Sequence, residues 1–583
     1  MSWWLGVAVA AAAYAVLSVP LVTHQGVNWD EQTDLDIAAS YVNGPRALFI
    51  GSRVEPNQTR LPMYSFALLT LSGIESSLTG ARMVSVALGL STVIATAWLG
   101  ALLLGRRTGL IAACVLATSP YYLAYSSLGL TEGSVFIATA TTWTVLAAVA
   151  FAARPTWPRC AVLGVALGLC VSAKLSGVAL VPAVTLATLL PSALGALRSG
   201  TSSVWREALP WLGAAAAFAC WLLVQLVGTG AVAAWLTDWL PWPLQRGYVR
   251  YAAVVAGWTS LIAWSWNARG RPTSASGRMV LPLLLAGLTF FVVPPVHTTD
   301  RALFAGMWQE AIGSGEGVDP GLDAVFLSEA AVFLFLVVLM KPGIGVGAAI
   351  WIGLGRAITQ LRERSELRLL VATIVCYIAF LLVLPLAQTH YMMAVFPLLV
   401  LLGVDAFVNF ARARPRFAAT FAMFAVILLV RDYRLSYPDL NLNGYQWLGT
   451  RYLAGRSTLG YRGVAQVGED GVEQILRWSE GEIESDATVV AYLPAGHIVR
   501  AILPNPAFRL VNGMRHPDAI DAADYVLTCL NGDIAGGHGT DNPQGSPFKY
   551  SFYDRSRLER EFEPVFSVRR AFAIEVATVW KRL

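Results

Sequence analysis

The chain is built from repeated, continuous apolar blocks of about 15–22 residues, and few folds can accommodate them. As a helix, such a block spans roughly 30 Å, the thickness of a bilayer's hydrocarbon core. Within a bilayer every backbone N–H and C=O must be satisfied internally, so only helices or closed barrels cross it. Barrel strands alternate apolar and polar residues; these blocks do not, and helices remain. Composition agrees: 56% of the 583 residues are hydrophobic and 14% charged, with a mean hydropathy of +0.56. That leaves too little polar surface to clothe a soluble protein of this length.

The net charge of +5 says less than where the charges fall. Arg106 and Arg107, Arg154 and Arg159, Arg198 and Arg206, and the trio Arg269, Arg271 and Arg278 occupy alternate gaps between apolar blocks. So do Arg356, Arg362, Arg364 and Arg368, and then Arg412, Arg414 and Arg416. The positive-inside rule makes these gaps cytoplasmic. The clusters are short and separated by spans, which excludes a nucleic-acid surface as their purpose. Six scattered cysteines without a CxxC pair argue against a zinc site or a disulfide framework. The first block, 2–22, lacks a basic leader and reads as a retained span.

With the Arg-rich gaps inside, span 1 (3–23) opens into an outside loop, 24–80, and span 2 (82–104) returns. Blocks 108–120 and 132–152 flank the outside segment TSPYYLAYSSLGLTEG, and blocks 160–173 and 178–193 are joined outside by AKLSG. Span 7 (208–229), the loop WLTDWLPWPLQRGY, spans 251–267 and 279–296, and a second outside loop, 297–322, follow. Lys341–Pro342 splits 323–356 into either one kinked crossing or a helix pair, and charge parity favours one net crossing. Spans 369–387, 391–411 (after the outside turn QTH) and 417–430 complete a transmembrane domain, 1–430, of about 13 spans. Residues 431–583 carry turn signals (NLNG, NGD, DNPQG) and β-rich runs (ATVVAYL, DYVLTCL, FAIEVATVW), the pattern of a soluble α/β domain. Charge parity places it on the exoplasmic side. The lack of an internal repeat gives an inverted-repeat transporter no support.

The chemistry-bearing stretch is VNWDEQTDLDIAASYVNG, directly after span 1. Asp30, Glu31, Asp34 and Asp36 crowd the membrane surface there. On a helix Asp30 and Asp34 share a face and Glu31 points elsewhere. Acids at a helix N-terminus also complement its dipole, so the stretch alone leaves catalysis and plain capping both open. Lys174 interrupts an apolar run and is one of only four lysines among 42 basic residues. It is either a functional cation at depth or a lysine snorkelling to the interface. His390 and Glu132 are similarly open, as a site histidine or an interfacial one, and as a second acid or a helix-start acid. Arg82 reads as a cap on span 2. His297 with Asp300 is too sparse for a metal site.

Six segments in order resemble family 39 of the GT-C glycosyltransferases, the dolichyl-phosphate-mannose–protein mannosyltransferases and the lipid A aminoarabinose transferase among them. Asp30–Glu31 is similar to that family's acidic pair after span 1. QTRLPMY (58–64) resembles K-P-P-L-Y, with Arg60 at the basic position, and ARMVSVALG (81–89) resembles A-R-x-x-S-x-x-x-G. TSPYYLAYSSLGLTEG resembles S-P…T-D, with Glu132 where Asp is usual, and AKLSG resembles A-K-x-x-G. THYMMAVFPLLVLL resembles R-Y-x-x-x-x-x-P, with His390 where a basic residue is usual. The W-W-D-Y-G signature of oligosaccharyltransferases is missing.

The resemblance implies a GT-C transferase that moves a monosaccharide from a polyprenyl-phosphate carrier to a protein, lipid or glycan acceptor. It implies Asp30 as base with Glu31 as supporting neighbour, Arg60, Lys174 and His390 as donor-phosphate cations, and Glu132 near the acceptor. The expectation is inversion, with no metal or cofactor beyond the lipid-linked substrate. A transporter or flippase, and a non-catalytic scaffold, are the readings from other classes. Acids and bases clustered in outside loops favour surface chemistry over transport. The excess of Arg over Lys points to a GC-rich genome and a prokaryotic plasma membrane.

Overall fold

The computed structural model describes residues 2–24, 29–42, 60–71, 78–129, 135–185, 247–268, 275–293, 324–364, 366–383, 389–437, 440, 471–493, 499, 503, 505–513, 516–529, 555–570 and 575–583. At some element ends only the backbone is described. Span 7, Glu132, the loop 297–322 and most of 431–470 lie outside these residues.

The chain is a helical integral membrane protein with a small C-terminal sheet domain. Helices α1 (Trp3–His24), α2 (Trp29–Ser40), α3 (Arg60–Leu71) and α4 (Leu78–Leu103) lead into α5 (Arg106–Ala117) and a short α6 (Pro120–Ser126). Then come α7 (Val135–Ala153), α8 (Trp157–Ala173), α9 (Gly247–Asn267) and α10 (Ala275–Val292). The late group is α11 (Ala324–Met340), α12 (Ile344–Thr359), α13 (Leu367–Val383), α14 (Phe396–Ala413) and α15 (Pro415–Ser436). Among the described residues four helices are long and apolar enough to cross a bilayer, five if the bent pair α5–α6 is one span, beside several shorter apolar helices. Helix α15 leaves Phe417, Met423, Phe424, Ile427 and Val430 exposed, a face suited to acyl chains and not to water.

Lipid gives apolar helices no solvent-driven reason to associate, so close packing must come from small residues. On α8, a Cβ added to Gly164 would stand 2.6 Å from the carbonyl oxygen of Pro282 and 2.7 Å from Leu285 Cβ, and Gly168 is as tight against Ala286 and Thr289. Both pairings advance together, so α8 and α10 run parallel. A Cβ on Gly100 of α4 would meet Gly109 Cα of α5 at 2.5 Å.

Three expectations need correction. First, 323–356 is a helix pair and not one kinked crossing. Trp351 Nε1 donates to the carbonyl of Phe335 at 3.2 Å and the two rings stack at 4.9 Å. Gly347 backs onto Leu339, so contacts step outward from the turn at Lys341–Gly343. In a continuous helix Phe335 and Trp351 would sit about 24 Å apart. Gly343 takes φ +91, which only glycine adopts without strain, and that reverses the chain. A hairpin adds two passes or none, so the parity used to count spans changes.

Second, the outside segment after 118 is a buried helix. Pro120 bends α6 by 63° from α5, and every residue of α6 is buried. Two of its hydroxyls are bonded inside the protein: Tyr122 donates to the carbonyl of Gly89 at 3.0 Å and Ser126 Oγ accepts from Tyr14 at 2.8 Å. Third, the turn expected at QTH continues as a 3₁₀ helix, Thr389–Ala394, whose residues from His390 onward are buried.

The C-terminal domain holds a five-stranded sheet in the order β2-β1-β3-β5-β4. The strands are β1 (Thr488–Tyr492), β2 (Arg509–Asn512), β3 (Tyr525–Cys529), β4 (Phe562–Arg569) and β5 (Glu575–Arg582). β1 pairs parallel with β2 and β3, and β5 antiparallel with β3 and β4. One face packs under helix α16 (Val472–Glu482) through Ile475 and Leu476; the other is covered by Ile520 and Leu558.

The α8–α10 crossing yields a prediction. Replacing Gly168 with Leu forces side-chain volume into backbone contact and should cost about 1–3 kcal/mol or more, with Ala less damaging. Thermal unfolding in detergent measures it. An unchanged midpoint for Gly168→Leu would contradict the crossing.

Candidate functional site

The acidic stretch after span 1 folds as α2, with Asp30 and Glu31 in its first turn. Glu31 is fully buried and Arg82 is 2% exposed, and they form a two-pronged ion pair. Arg82 Nε donates to Glu31 Oε1 at 2.8 Å and Nη2 to Oε2 at 2.7 Å. Glu31 Oε1 also accepts the backbone N–H of Gly129 at 2.6 Å. The third prong, Arg82 Nη1, donates to the carbonyl of Val22 at 2.8 Å. The end of α1, the start of α2, the start of α4 and the segment ending at Gly129 therefore meet at one ion pair. Only arginine supplies a planar fork that can serve two carboxylate oxygens and a carbonyl together. Arg82 is thus a cross-link and not the helix cap that the sequence suggested. The signal for it was an ionisable residue placed just inside a span, within reach of an acid one loop earlier.

A shared apolar floor holds the neighbouring motifs together. Leu35 and Ala38 of α2, Phe66 of α3, Ala81 beside Arg82, Val135 and Phe136 of α7, and Ala173 beside Lys174 form one buried cluster. Phe66 and Phe136 meet edge to face at 5.9 Å. Helices α2 and α3 are further joined by Tyr41 stacked on Tyr64 at 4.9 Å. Arg60 begins α3, so its backbone belongs to this group. The side chains of Asp30 and Arg60 lie outside the described ones, as does Glu132 altogether.

Lys174 ends α8 with extended backbone, φ −158 and ψ 142, before a 3₁₀ turn at Leu175–Ala179. Its Nζ lies 3.8 Å from the centre of the Tyr391 ring. His390, fully buried, meets Tyr391 edge to face at 4.4 Å and Tyr125 of α6 at 6.2 Å. Tyr125 packs on Tyr121 at 5.4 Å, and Tyr121 on Phe396 at 4.9 Å. Ser176 and Tyr377 share a hydroxyl hydrogen bond of 3.1 Å. Lys174 and His390, 216 positions apart by their numbers, are thus gathered by one tyrosine the sequence reading passed over. The segment ending at Gly129 bridges this basic, aromatic cluster to the Glu31–Arg82 pair.

The pair generates a double-substitution test. Removing one partner strands a buried charge and should cost about 3–5 kcal/mol, so Arg82→Met and Glu31→Leu alone should each destabilise strongly. The double variant should recover much of that loss. Additive losses would refute the coupling.

The chain matches no protein-family model and no curated protein. Among solved structures it is similar to the oligosaccharyltransferase of Archaeoglobus fulgidus in its apo form, at 12% identity and a TM-score of 0.47, covering 97% of this chain and 79% of that one. The same archaeal enzyme, AglB, in complex with an inhibitory peptide and a dolichol-phosphate, gives 13% identity, a TM-score of 0.45 and the same coverage. ArnT from Cupriavidus metallidurans bound to undecaprenyl phosphate gives 13% identity and a TM-score of 0.31, over 99% of this chain and 97% of that one. At these identities and TM-scores the similarity carries no weight for function.

Proposed function

We propose that this protein is an inverting glycosyltransferase that moves a monosaccharide from a polyprenyl-phosphate carrier to an acceptor on the exoplasmic face of the membrane. The observation that carries this reading is convergence. The acidic helix, the start of α3, Arg82, the segment ending at Gly129, Lys174 and His390 belong to six motif segments, and they pack around one buried floor and one aromatic cluster. An acidic helix and a basic, aromatic cluster brought together by packing are what transfer from a phosphate-linked sugar needs.

In the proposed step the acceptor hydroxyl oxygen attacks the anomeric carbon. Its proton passes to the Asp30 carboxylate, the bond from the anomeric carbon to the phosphate oxygen breaks, and that oxygen keeps the electron pair. A base within hydrogen-bond reach contributes typically 10²–10⁴-fold. Attack opposite the leaving group inverts the configuration. Fixed cations meet the charge growing on the lipid phosphate, and Lys174, His390 and Arg60 are assigned to it. Glu31 acts through position: with both carboxylate oxygens engaged by Arg82 and Gly129, it holds the helix that carries Asp30. Glu132 is assigned to the acceptor side. The C-terminal domain follows α15, which starts at the basic cluster Arg412, Arg414 and Arg416, and on that local charge pattern it is proposed to lie on the exoplasmic side and to shape acceptor access.

Asp30→Asn tests the base. Transfer from a panel of polyprenyl-phosphate sugars should fall by about 100-fold or more, while donor binding and thermal stability persist. A variant that transfers sugar as fast as the parent would sink the assignment.

A further inference from the structure

We infer that Tyr391 is a positioning residue for Lys174, fixing its ammonium with the face of the aromatic ring and not through its hydroxyl. This rests on the reading of Lys174 as a donor-phosphate cation. A lysine head rides on a flexible four-carbon stem and presents a point charge without directional preference. Left to itself it samples many positions, and a cation that must meet a growing charge gains from being held beforehand. The structure holds Lys174 at both ends. At the backbone, the break after α8 is closed by the N–H of Gly177 donating to the carbonyl of Lys174 at 2.8 Å, and Ser176 is tied to Tyr377. At the head, Nζ sits 3.8 Å above the Tyr391 ring centre, well inside the range of a cation–π contact.

The ring is itself immobilised. Tyr391 is 5% exposed and flanked by His390, Met392 and Met393, all fully buried. The edge-to-face contact with His390 fixes its tilt at 77°. A ring face restrains an ammonium without accepting its proton or cancelling its formal charge, whereas a carboxylate would neutralise it. The contact therefore orders the ammonium without itself taking its charge.

The experiment uses the full chain in detergent and farnesyl phosphate as probe, with farnesol as the uncharged control, by calorimetric titration. Tyr391→Phe keeps the ring and should bind farnesyl phosphate within about 2-fold of the parent, while Tyr391→Leu should bind about 5- to 30-fold more weakly. Farnesol binding should be equal in all variants. In a Lys174→Met background, itself weakened, Tyr391→Leu should cause no further loss, a pattern that a purely structural tyrosine would not give. The inference is overturned if Tyr391→Phe is as damaged as Tyr391→Leu. It is equally overturned if Tyr391→Leu binds like the parent, or weakens binding equally in both backgrounds, while Lys174→Met is impaired. Parental binding by Lys174→Met would instead remove the donor-phosphate reading of Lys174, and this inference with it.

Discussion

One buried guanidinium organises the membrane-surface end of this protein. Desolvating a carboxylate and a guanidinium costs several kcal/mol each, and their attraction offsets this only when geometry is good and the remaining donors and acceptors are filled. Here they are: all three guanidinium nitrogens of Arg82 donate, two to Glu31 and one to the carbonyl of Val22, and Glu31 takes a further N–H from Gly129. The arrangement closes only when the end of α1, the start of α2, the start of α4 and the segment after α6 are all in place. Its net contribution to stability need not be large. Its value is that alternative placements of the first loop would strand a charge.

From Gly129 the consequences run inward along α6. This helix fits inside the bundle because small residues let α4 and α5 approach at Gly100 and Gly109, and because Tyr122 finds an acceptor on α4 and Ser126 a donor on α1. Tyr125 then reaches His390, and His390 reaches Tyr391 beneath Lys174. Packing, and not loop length, decides where the basic residues stand relative to the acidic helix. Tyr433 of α15 adds a tie by donating to the carbonyl of Thr118 at 2.8 Å, bracing the bend between α5 and α6.

The parts legible in the sequence were those governed by solvent. Long apolar blocks became α1, α4, α7 and α14 because lipid demands internally bonded helices. The β-rich runs near 488, 525 and 575 became β1, β3 and β5. What escaped was governed by partners. PYYLAYS reads as part of an outside segment, yet Tyr122 and Ser126 find partners 33 and 112 residues away, which no local pattern reveals. The hairpin at Lys341 turned on a positive-φ glycine beside a proline, where the hydropathy of a kinked span and of a helix pair is the same. Arg82 looked like a cap because its partner lies 51 residues upstream. Two of the proposed site cations, Lys174 and His390, were recognisable by type, but the ring between them was hidden among ordinary aromatic residues.

The acidic pair that anchors the functional reading now divides into two unlike halves. Successive helical residues leave the helix axis about 100° apart. Glu31 is committed to Arg82 and Gly129, both of its carboxylate oxygens accepting hydrogen bonds, which suits it to an anchoring role. Locking one residue of a rigid turn also fixes the backbone of the next. In the proposed reading, a base carried beside such a lock gains a defined backbone position, and defined position is where much of the rate of a two-substrate transfer originates. The conspicuous pair is then an anchor, Glu31, beside the assigned base, Asp30, on one helical turn.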